Sequence, residues 1–271
     1  MPELPEVETT RRGLLPHMEG IRIVRAVVRH RQMRQPVPPV LPDCLVGLTI
    51  RTVLRRAKYL LIDCTTGTLI IHLGMSGRLW LVNGGTAPEK HDHFDLHLAN
   101  DKIIRLRDPR RFGLVLWVTD NPFLHPLLNR LGPEPLSDDF NAPYLFRQTR
   151  SRSSAIKIVI MDSHLVVGVG NIYASEALFH AGISPRKSAR RLSLARCAEL
   201  VQSISQVLQQ AIQAGGSSIR DYVNSDGMAG NFQSQFFVYG RAGEPCKKCQ
   251  TPIKHLVQGQ RATYYCPICQ R

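Results

Sequence analysis

Two residues at the start of the chain could carry covalent chemistry. Pro2 follows Met1, and an initiator methionine before a small residue is normally removed, which would leave Pro2 with a free secondary amine. An α-amino group titrates near about 8, so much of it is neutral and nucleophilic at physiological pH. Glu3 comes next and could act as an acid. The same residues would also suit an ordinary helix start, because proline and glutamate are both favoured in a first turn.

Four cysteines toward the other end have the spacing of a metal site. Cys246 and Cys249 form one C-x2-C pair, and Cys266 and Cys269 form a second pair after 16 intervening residues. Two such pairs place four thiolates around one tetrahedral ion, which suits one structural zinc, with rubredoxin-like iron as the alternative. A hairpin this short cannot build its own core, so the metal would be needed for folding. Arg261 lies between the pairs, where its guanidinium could bind a phosphate or remain solvated.

The composition indicates a polyanionic partner. The chain has 271 residues, with 35 Lys and Arg against 21 Asp and Glu and a net charge of +14. Such an excess is typical of nucleic-acid binding, and charge that serves only solubility is the alternative. No apolar run approaches the roughly 18 residues of a membrane span, and the acidic start does not resemble a signal peptide. We therefore expect a cytoplasmic protein with no membrane partner and with reduced cysteines.

The first half of the chain is predicted to be a helix followed by short strands. A helix is expected over residues 5–19, because Pro5 suits its first position and Gly20 its exit. Strand patterns then cover residues 21–29, 49–63, 68–82, 94–98, 103–106 and 114–118. Loops at 84–93 and 108–113 interrupt them. Many short strands joined by short turns indicate an antiparallel β-sandwich.

Helical spacing replaces the strands after about residue 120. One helix is predicted from Asn171 to near Gly182, and apolar residues at three- and four-residue steps predict another from Leu194 to Ala211. The stretch 215–235 is rich in Gly, Ser and Asn, and a loop of this length is often functional. We predict a catalytic β-sandwich domain over 1–121, a linker over 122–140 and a helical domain over 141–271, with the metal-binding finger at about 237–271.

Six motifs resemble those of one enzyme family and occur in the same order. They are Pro2–Glu8, Arg56–Leu60, His72–Gly77, Asp108–Gly113, Gly168–Tyr173 and the four-cysteine finger. Together they run from Pro2 to Cys269 and resemble the bacterial formamidopyrimidine-DNA glycosylases (Fpg or MutM) of the Fpg/Nei superfamily. The resemblance implies an α+β fold with two domains. The N-terminal domain would be an antiparallel β-sandwich with flanking helices, and the C-terminal domain would hold a helix-two-turn-helix and a β-hairpin zinc finger.

The resemblance also implies a base-excision-repair activity with two chemical stages. Such enzymes flip out and remove oxidised purines, chiefly 8-oxoguanine and formamidopyrimidines, and then cut the abasic strand by β,δ-elimination. Pro2 would attack the sugar C1′ and form a Schiff base, while Glu3 would protonate the opening sugar. Lys58 would contact the lesion region and serve β-elimination, although on spacing alone it suits a solvated strand lysine. Arg261 would grip a phosphate and assist δ-elimination.

A further set of residues is implied to hold the DNA. Met75, Arg110 and Phe112 resemble the side chains that fill the gap left by the flipped base and pair with the widowed cytosine. By pattern alone, Met75 and Phe112 would suit core positions. The other contacts implied are His91, Arg152, Lys157 and Asn171. Arg152 departs from the family, which often has lysine there. The lesion-capping loop would comprise Ser217, Ser218, Ile219, Arg220, Asp221 and Tyr222.

The expected partner is double-stranded DNA that contains oxidised purines or abasic sites, bound by a monomeric, nucleoid-associated bacterial protein. Two other functions stay open. An endonuclease VIII-like member of the superfamily would prefer oxidised pyrimidines, and a non-catalytic zinc-finger DNA-binding protein would need no free amine. The long loop and the set formed by Met75, Arg110 and Phe112 favour the purine glycosylase, whereas a retained Met1 would favour the non-catalytic protein.

Overall fold

The computed structural model describes residues 2–217 and 230–271, which form two compact units. The first unit comprises Met1–Asn129 and Ala214–Asn231, and the second comprises Arg130–Gln213 and Phe232–Arg271. The chain therefore returns to the first unit after the long helical segment of the second. The domain limits given above from composition stay a prediction.

Two antiparallel four-stranded sheets form the framework of the first unit, which confirms the predicted β-sandwich. One sheet contains, in spatial order, β1 (Ile23–Val28), β6 (Asp92–Leu98), β7 (Lys102–Arg107) and β5 (Arg78–Asn83). The other contains β2 (Ile50–Arg56), β3 (Tyr59–Cys64), β4 (Gly67–His72) and β8 (Leu114–Val118). Helices α1 (Leu4–Met18) and α2 (Leu41–Leu45) pack their apolar residues into the same buried cluster as the strands.

The two longest predicted strands are wrong in one respect, because each is broken by a turn. The stretch 49–63 forms β2 and β3 around a two-residue turn, in which Ala57 adopts a left-handed backbone with φ of 54°. The stretch 68–82 forms β4 and β5 around the loop 73–77, where Gly74 has φ of 64°. Apolar residues flank each break and also occur within it, such as Ala57 and Met75, so a search for strand patterns does not find the breaks. The breaks matter because Lys58 and Met75 lie in them.

The second unit is helical and ends in a two-stranded hairpin. It contains α3 (Ala142–Thr149), α4 (Ile156–Ile160), α5 (Asn171–His180), α6 (Leu194–Gln213), β9 (Lys254–Gln258) and β10 (Arg261–Tyr265). Helix α6 buries Cys197, Ile204, Leu208 and Ala211 of the predicted apolar stripe, whereas Leu194 is exposed and Val201 is half-buried. The helix packs against α3 and α5. Helix α5 also packs against β10, so the helices and the hairpin share contacts.

Among the described residues, none of the helices has both the length and the apolar composition of a transmembrane span.

Candidate active site and DNA interface

Pro2 and Glu3 lie buried at the start of α1. Glu3 is 2% exposed, and its backbone N–H donates a hydrogen bond to the Glu6 carboxylate over 2.8 Å. This contact satisfies one of the N–H groups that a helix start leaves without a partner. The ordinary helix start considered above is therefore present. It is compatible with chemistry at Pro2, because it holds the backbone next to the amine in one conformation.

Glu6 connects this N-terminal segment to Ser217, a role that the sequence analysis missed. Its second carboxylate oxygen accepts hydrogen bonds from the Ser217 N–H over 2.8 Å and from the Ser217 hydroxyl over 3.0 Å. Ser217 also pairs with Asn231 in an isolated antiparallel bridge. Of the predicted lesion-capping residues, only Ser217 is described; Ser218, Ile219, Arg220, Asp221 and Tyr222 lie outside the described residues. The Glu3–Glu6 spacing of a capping box was the signal that could have pointed to this carboxylate.

Glu8 ties α1 to the strand that leads to Lys58. The Arg55 guanidinium donates one hydrogen bond to Glu8 over 3.1 Å and another to the Ala57 carbonyl over 2.9 Å. Ala57 and Lys58 form the turn between β2 and β3, and Lys58 is half-buried there. The chain of contacts thus fixes the Lys58 turn relative to the helix that begins at the proposed nucleophile.

Ionisation of Glu8 stabilises this connection. Burial opposes ionisation, but hydrogen bonds from Arg11 and Arg12, together with the charge of Arg55, outweigh it and lower the pKa of Glu8 to about 2. The carboxylate is therefore charged at any pH at which the protein would act. A neutral residue at this position would remove the negative charge that Arg11, Arg12 and Arg55 share.

His72 is a second residue to which the sequence analysis assigned no role, although it begins one of the quoted motifs. It lines a cavity of about 290 Å³ together with Arg34, Gly74, Met75 and Phe112. Burial, together with the nearby charges of Arg34 and Lys58, lowers the pKa of His72 to about 4. Its Nδ1 accepts the Gly74 N–H over 2.9 Å, so the neutral ring carries its proton on Nε2. His72 is therefore a neutral ring with a hydrogen-bond donor at Nε2 among the residues that line this cavity.

Two loops, residues 73–77 and 108–113, present the predicted insertion residues and are called the wedge loops below. Met75 is 42% exposed and Phe112 is 45% exposed, so the alternative of core positions is wrong. The Arg110 guanidinium lies over the Phe112 ring, 4.8 Å from its centroid. Large apolar side chains exposed beside a cation suit insertion into a base stack. His91 is adjacent, since its carbonyl accepts the N–H of Asp108 over 3.0 Å.

In the second unit, Lys157 joins the start of α5 to the finger hairpin. Lys157 is fully buried, and its ammonium donates to Asn171 Oδ1 over 2.6 Å, to the Ala262 carbonyl over 2.9 Å and to the Thr263 hydroxyl over 2.7 Å. An ammonium only donates, so the Asn171 oxygen must face it and the amide NH2 must face elsewhere. Lys157, which was predicted as a DNA contact, is therefore placed behind Asn171 instead of at the surface.

Arg152 and Arg261 occupy different surroundings. Arg152 donates to Asp162 over 2.9 Å and is already paired within the protein. Arg261 is exposed at the first position of β10, directly after the Gly259–Gln260 turn of the hairpin. Its neighbour Ala262 accepts the Lys157 hydrogen bond, which fixes the strand that carries it. The position of Arg261 fits phosphate binding better than that of Arg152.

The four predicted cysteine ligands come together. The sulfur atoms of Cys246, Cys249, Cys266 and Cys269 all lie within 4.8 Å of one another, and the Cys246–Cys269 distance is 3.9 Å. Backbone N–H groups of the two knuckles point at the sulfurs, as from Lys248 to Cys246 over 3.4 Å. Four thiolates at tetrahedral separation fit one structural zinc ion, which would crosslink the two knuckles. The donor set therefore agrees with the predicted cofactor.

Buried polar side chains attach the finger to the helices of the second unit. The Glu176 carboxylate in α5 accepts N–H groups from Phe237, Val238 and Tyr239 over 2.8–3.0 Å. Gln270 accepts the Cys266 N–H over 2.8 Å and donates to the Ile183 carbonyl over 3.0 Å. The metal site is thus held by α5 and the segment that follows it.

Three family models match the chain along its length. The formamidopyrimidine-DNA glycosylase N-terminal domain matches residues 1–115, and the H2TH domain of the same enzymes matches residues 131–223. The zinc finger found in FPG and IleRS matches residues 243–271. The chain belongs to the formamidopyrimidine-DNA glycosylase family. Membership confirms the resemblance inferred from the six motifs and the fold expected from it.

Relatives and solved structures of this family cover the chain almost completely. A formamidopyrimidine-DNA glycosylase of Methylobacillus flagellatus is 57% identical over 271 residues, which cover 100% of this chain and 97% of that protein. One from Thioalkalivibrio sulfidiphilus is 58% identical and is covered completely. A mutant of the Lactococcus lactis FPG in complex with Fapy-dG DNA has a TM-score of 0.93 at 36% identity and 100% coverage of both chains. The Thermus thermophilus MutM protein has a TM-score of 0.88 at 39% identity, over 99% of this chain and 98% of that chain.

Proposed function

We propose that the protein is a bifunctional base-excision-repair enzyme that removes oxidised purines, including 8-oxoguanine and formamidopyrimidines, from double-stranded DNA and then cleaves the abasic strand. The observation that carries the proposal is the arrangement of the first unit. Buried Pro2 and Glu3 begin one helix, and the same unit presents exposed Met75 and Phe112 beside Arg110. Once Met1 is removed, the Pro2 amine and the adjacent Glu3 acid suit chemistry on an extruded nucleotide, and an exposed wedge suits the duplex that the nucleotide leaves.

The relatives support this substrate class. Solved structures of Lactococcus lactis Fpg contain DNA with Fapy-dG in one case and with an abasic site in another, at 35% identity to this chain. These ligands correspond to the substrate of the first chemical stage and to its product. Family membership also favours an oxidised-purine glycosylase over the endonuclease VIII-like and the non-catalytic alternatives.

The chemistry begins with the Pro2 amine. The nitrogen attacks C1′, the bond from C1′ to the base breaks, and Glu3 supplies the proton that opens the sugar at its ring oxygen. The resulting iminium withdraws electrons, so a proton at C2′ becomes acidic and its loss expels the 3′ phosphate. A second elimination expels the 5′ phosphate. We assign the proton transfers of β-elimination to Lys58 and the hold on the phosphate in δ-elimination to Arg261.

The remaining side chains hold the DNA. Asn171 offers its amide NH2 and the N-terminal end of α5 to a phosphate, and Lys157 supports it from behind. His91 and Arg152 are assigned further backbone contacts, with Arg152 first having to release Asp162. His72 joins this set because its ring presents Nε2–H beside Lys58 and the wedge. The zinc finger positions Arg261.

The protein's place in the cell follows from its substrate. Chromosomal DNA of the bacterial relatives lies in the cytoplasm, so we propose that the protein acts there on nucleoid DNA, as a monomer. Sedimentation of the protein with and without a single lesion duplex tests the monomer.

Borohydride trapping tests the chemistry. Wild-type protein whose intact mass shows that Met1 has been removed should become crosslinked to 8-oxoguanine duplex DNA in the presence of borohydride, and peptide mapping should place the adduct on Pro2. Glu3→Gln should bind the duplex but trap little of it, because it keeps the shape of the side chain and removes the acid. An adduct on Lys58 would refute the assignment of the nucleophile. Absence of any adduct with processed protein would refute the lyase chemistry.

A further inference from the structure

The two wedge loops are joined by a hydrogen-bonded clasp. The Ser76 hydroxyl donates to Asp108 Oδ1 over 2.7 Å and accepts the Arg110 N–H over 3.2 Å. The other carboxylate oxygen of Asp108 accepts the Gly113 N–H over 2.7 Å. We call Ser76 and Asp108 the clasp. It holds the wedge loop 108–113 near its tip, at Arg110, and at its end, at Gly113.

The backbones of the two loops also meet at a point where no side chain fits. A Cβ atom on Gly74 would lie 2.4 Å from the Phe112 carbonyl carbon and 2.6 Å from the Gly113 nitrogen. The loops therefore touch main chain to main chain beside the clasp. A side chain at residue 74 would therefore force the two loops apart.

Asp108 is buried too completely to act as an ordinary surface loop residue. It is 0% exposed, and its own carbonyl accepts the Arg111 N–H over 3.1 Å and lies 3.0 Å from His93 Nε2. A buried carboxylate is costly unless its oxygens receive hydrogen bonds, and here both oxygens do. Both oxygens of the buried Asp108 carboxylate are therefore used to hold the two wedge loops.

We propose that Ser76 and Asp108 are positioning residues that hold Met75, Arg110 and Phe112 as one preformed wedge, and that this preformed geometry determines how strictly the enzyme discriminates the base opposite the lesion. The inference rests on the function proposed above. Insertion needs three side chains to enter the duplex together, and each one that must first be ordered adds an entropic cost. A wedge ordered in advance avoids that cost, and it holds the Arg110 fork at the distance at which it can distinguish cytosine from adenine.

The test compares Ser76→Ala with Ser76→Thr, which keeps a hydroxyl, and with wild type. Single-turnover excision of 8-oxoguanine opposite cytosine should slow by about 10- to 150-fold in Ser76→Ala, the effect of one lost hydrogen bond to a charged group. The ratio of the rates opposite cytosine and adenine should fall toward one. Cleavage at a ready-made abasic site opposite a gap, which needs no wedge, should keep its wild-type rate. Ser76→Thr should restore much of the ratio.

Ser205→Ala is the matched control. Its hydroxyl donates to the Pro135 carbonyl over 2.9 Å in the second unit, so the variant removes a hydrogen bond of similar length away from the wedge. We expect it to retain the full cytosine preference. Should Ser76→Ala fail to fold, Asp108→Asn, which leaves a single side-chain oxygen for two donors, repeats the measurement.

The outcomes separate the two proposals. Wild-type protein that releases no 8-oxoguanine contradicts the proposed function itself. Wild-type activity together with an unchanged ratio and rate in the folded clasp variant overturns the positioning role alone. A lower ratio, with abasic-site cleavage preserved and the control unaffected, supports it.

Discussion

Replacing Lys157 by methionine tests whether Lys157 itself contacts DNA or instead orients Asn171, which makes the contact. Methionine keeps the apolar stem but removes three donated hydrogen bonds, of 2.6, 2.9 and 2.7 Å. Three acceptors lose their donor, which destabilises the fold, whereas the cost of burying an ammonium disappears. The net change should lower the free energy of unfolding by about 2–4 kcal/mol. The Asn171 amide is then free to turn its oxygen toward the DNA. Loss of one hydrogen bond to a charged phosphate, worth about 1.5–3 kcal/mol, should weaken binding by about 10- to 150-fold.

The assay is duplex binding at several salt concentrations. A side chain that neutralises a phosphate contributes about −0.9 to the slope of log K against log salt. Because Lys157 is buried behind Asn171, Lys157→Met should lower the affinity and leave the slope unchanged. Asn171→Ala should have a similar effect, and the double variant should be no worse than Asn171→Ala alone, since both changes remove the same contact. Lys102→Met, which removes an exposed lysine–asparagine hydrogen bond of 2.7 Å, is the control and should bind normally.

A slope that becomes shallower by about one in Lys157→Met would refute this reasoning. It would show that the ammonium leaves its buried site and reaches a phosphate itself. Additive losses in the double variant would contradict the idea that Lys157 acts through Asn171.

Three further predictions follow from separate parts of the molecule. Cys249→Ser should both lower the zinc content below one ion per chain, as measured by metal analysis, and weaken DNA binding, as measured by titration. Unchanged binding by zinc-free protein would contradict the coupling between zinc and DNA binding. Arg110→Ala should reduce the preference for cytosine opposite 8-oxoguanine by about 1–3 kcal/mol, while cleavage at a ready-made abasic site continues; a preference kept in full would mean that another residue reads the base. The pKa of Glu8 is about 2, against an ordinary value of 4.5. Its ionised carboxylate therefore adds about 3 kcal/mol to the free energy of unfolding, fully above pH 4.5, and this stabilisation is lost as the pH falls toward 2. Glu8→Gln should therefore lower the melting temperature at pH 7 and have little effect near pH 2, and an equal effect at both would rule out the ionised carboxylate as the cause.

The sequence by itself determined the parts of this protein whose chemistry is local. Two C-x2-C pairs specify a tetrahedral thiolate site because this spacing lets the two sulfurs of each pair bind the same ion. The four sulfurs come together as expected. The apolar spacing from Leu194 to Ala211 specifies α6, since residues three and four positions apart lie on the same face of a helix. The order of six motifs specified the family and, through it, the fold.

Only the tertiary structure decided which residues hold the reactive ones in place. Glu6 reads as a first-turn glutamate, yet it binds Ser217, which lies 211 positions away in the sequence. The family resemblance implies that Lys157 contacts DNA, yet its side chain is completely buried and donates to Asn171 in α5 and to Ala262 and Thr263 in the hairpin. Ser76 reads as a turn residue, yet it closes the clasp on Asp108. These contacts join segments that are distant in the chain, and periodicity and spacing describe only neighbours, so no local pattern could reveal them.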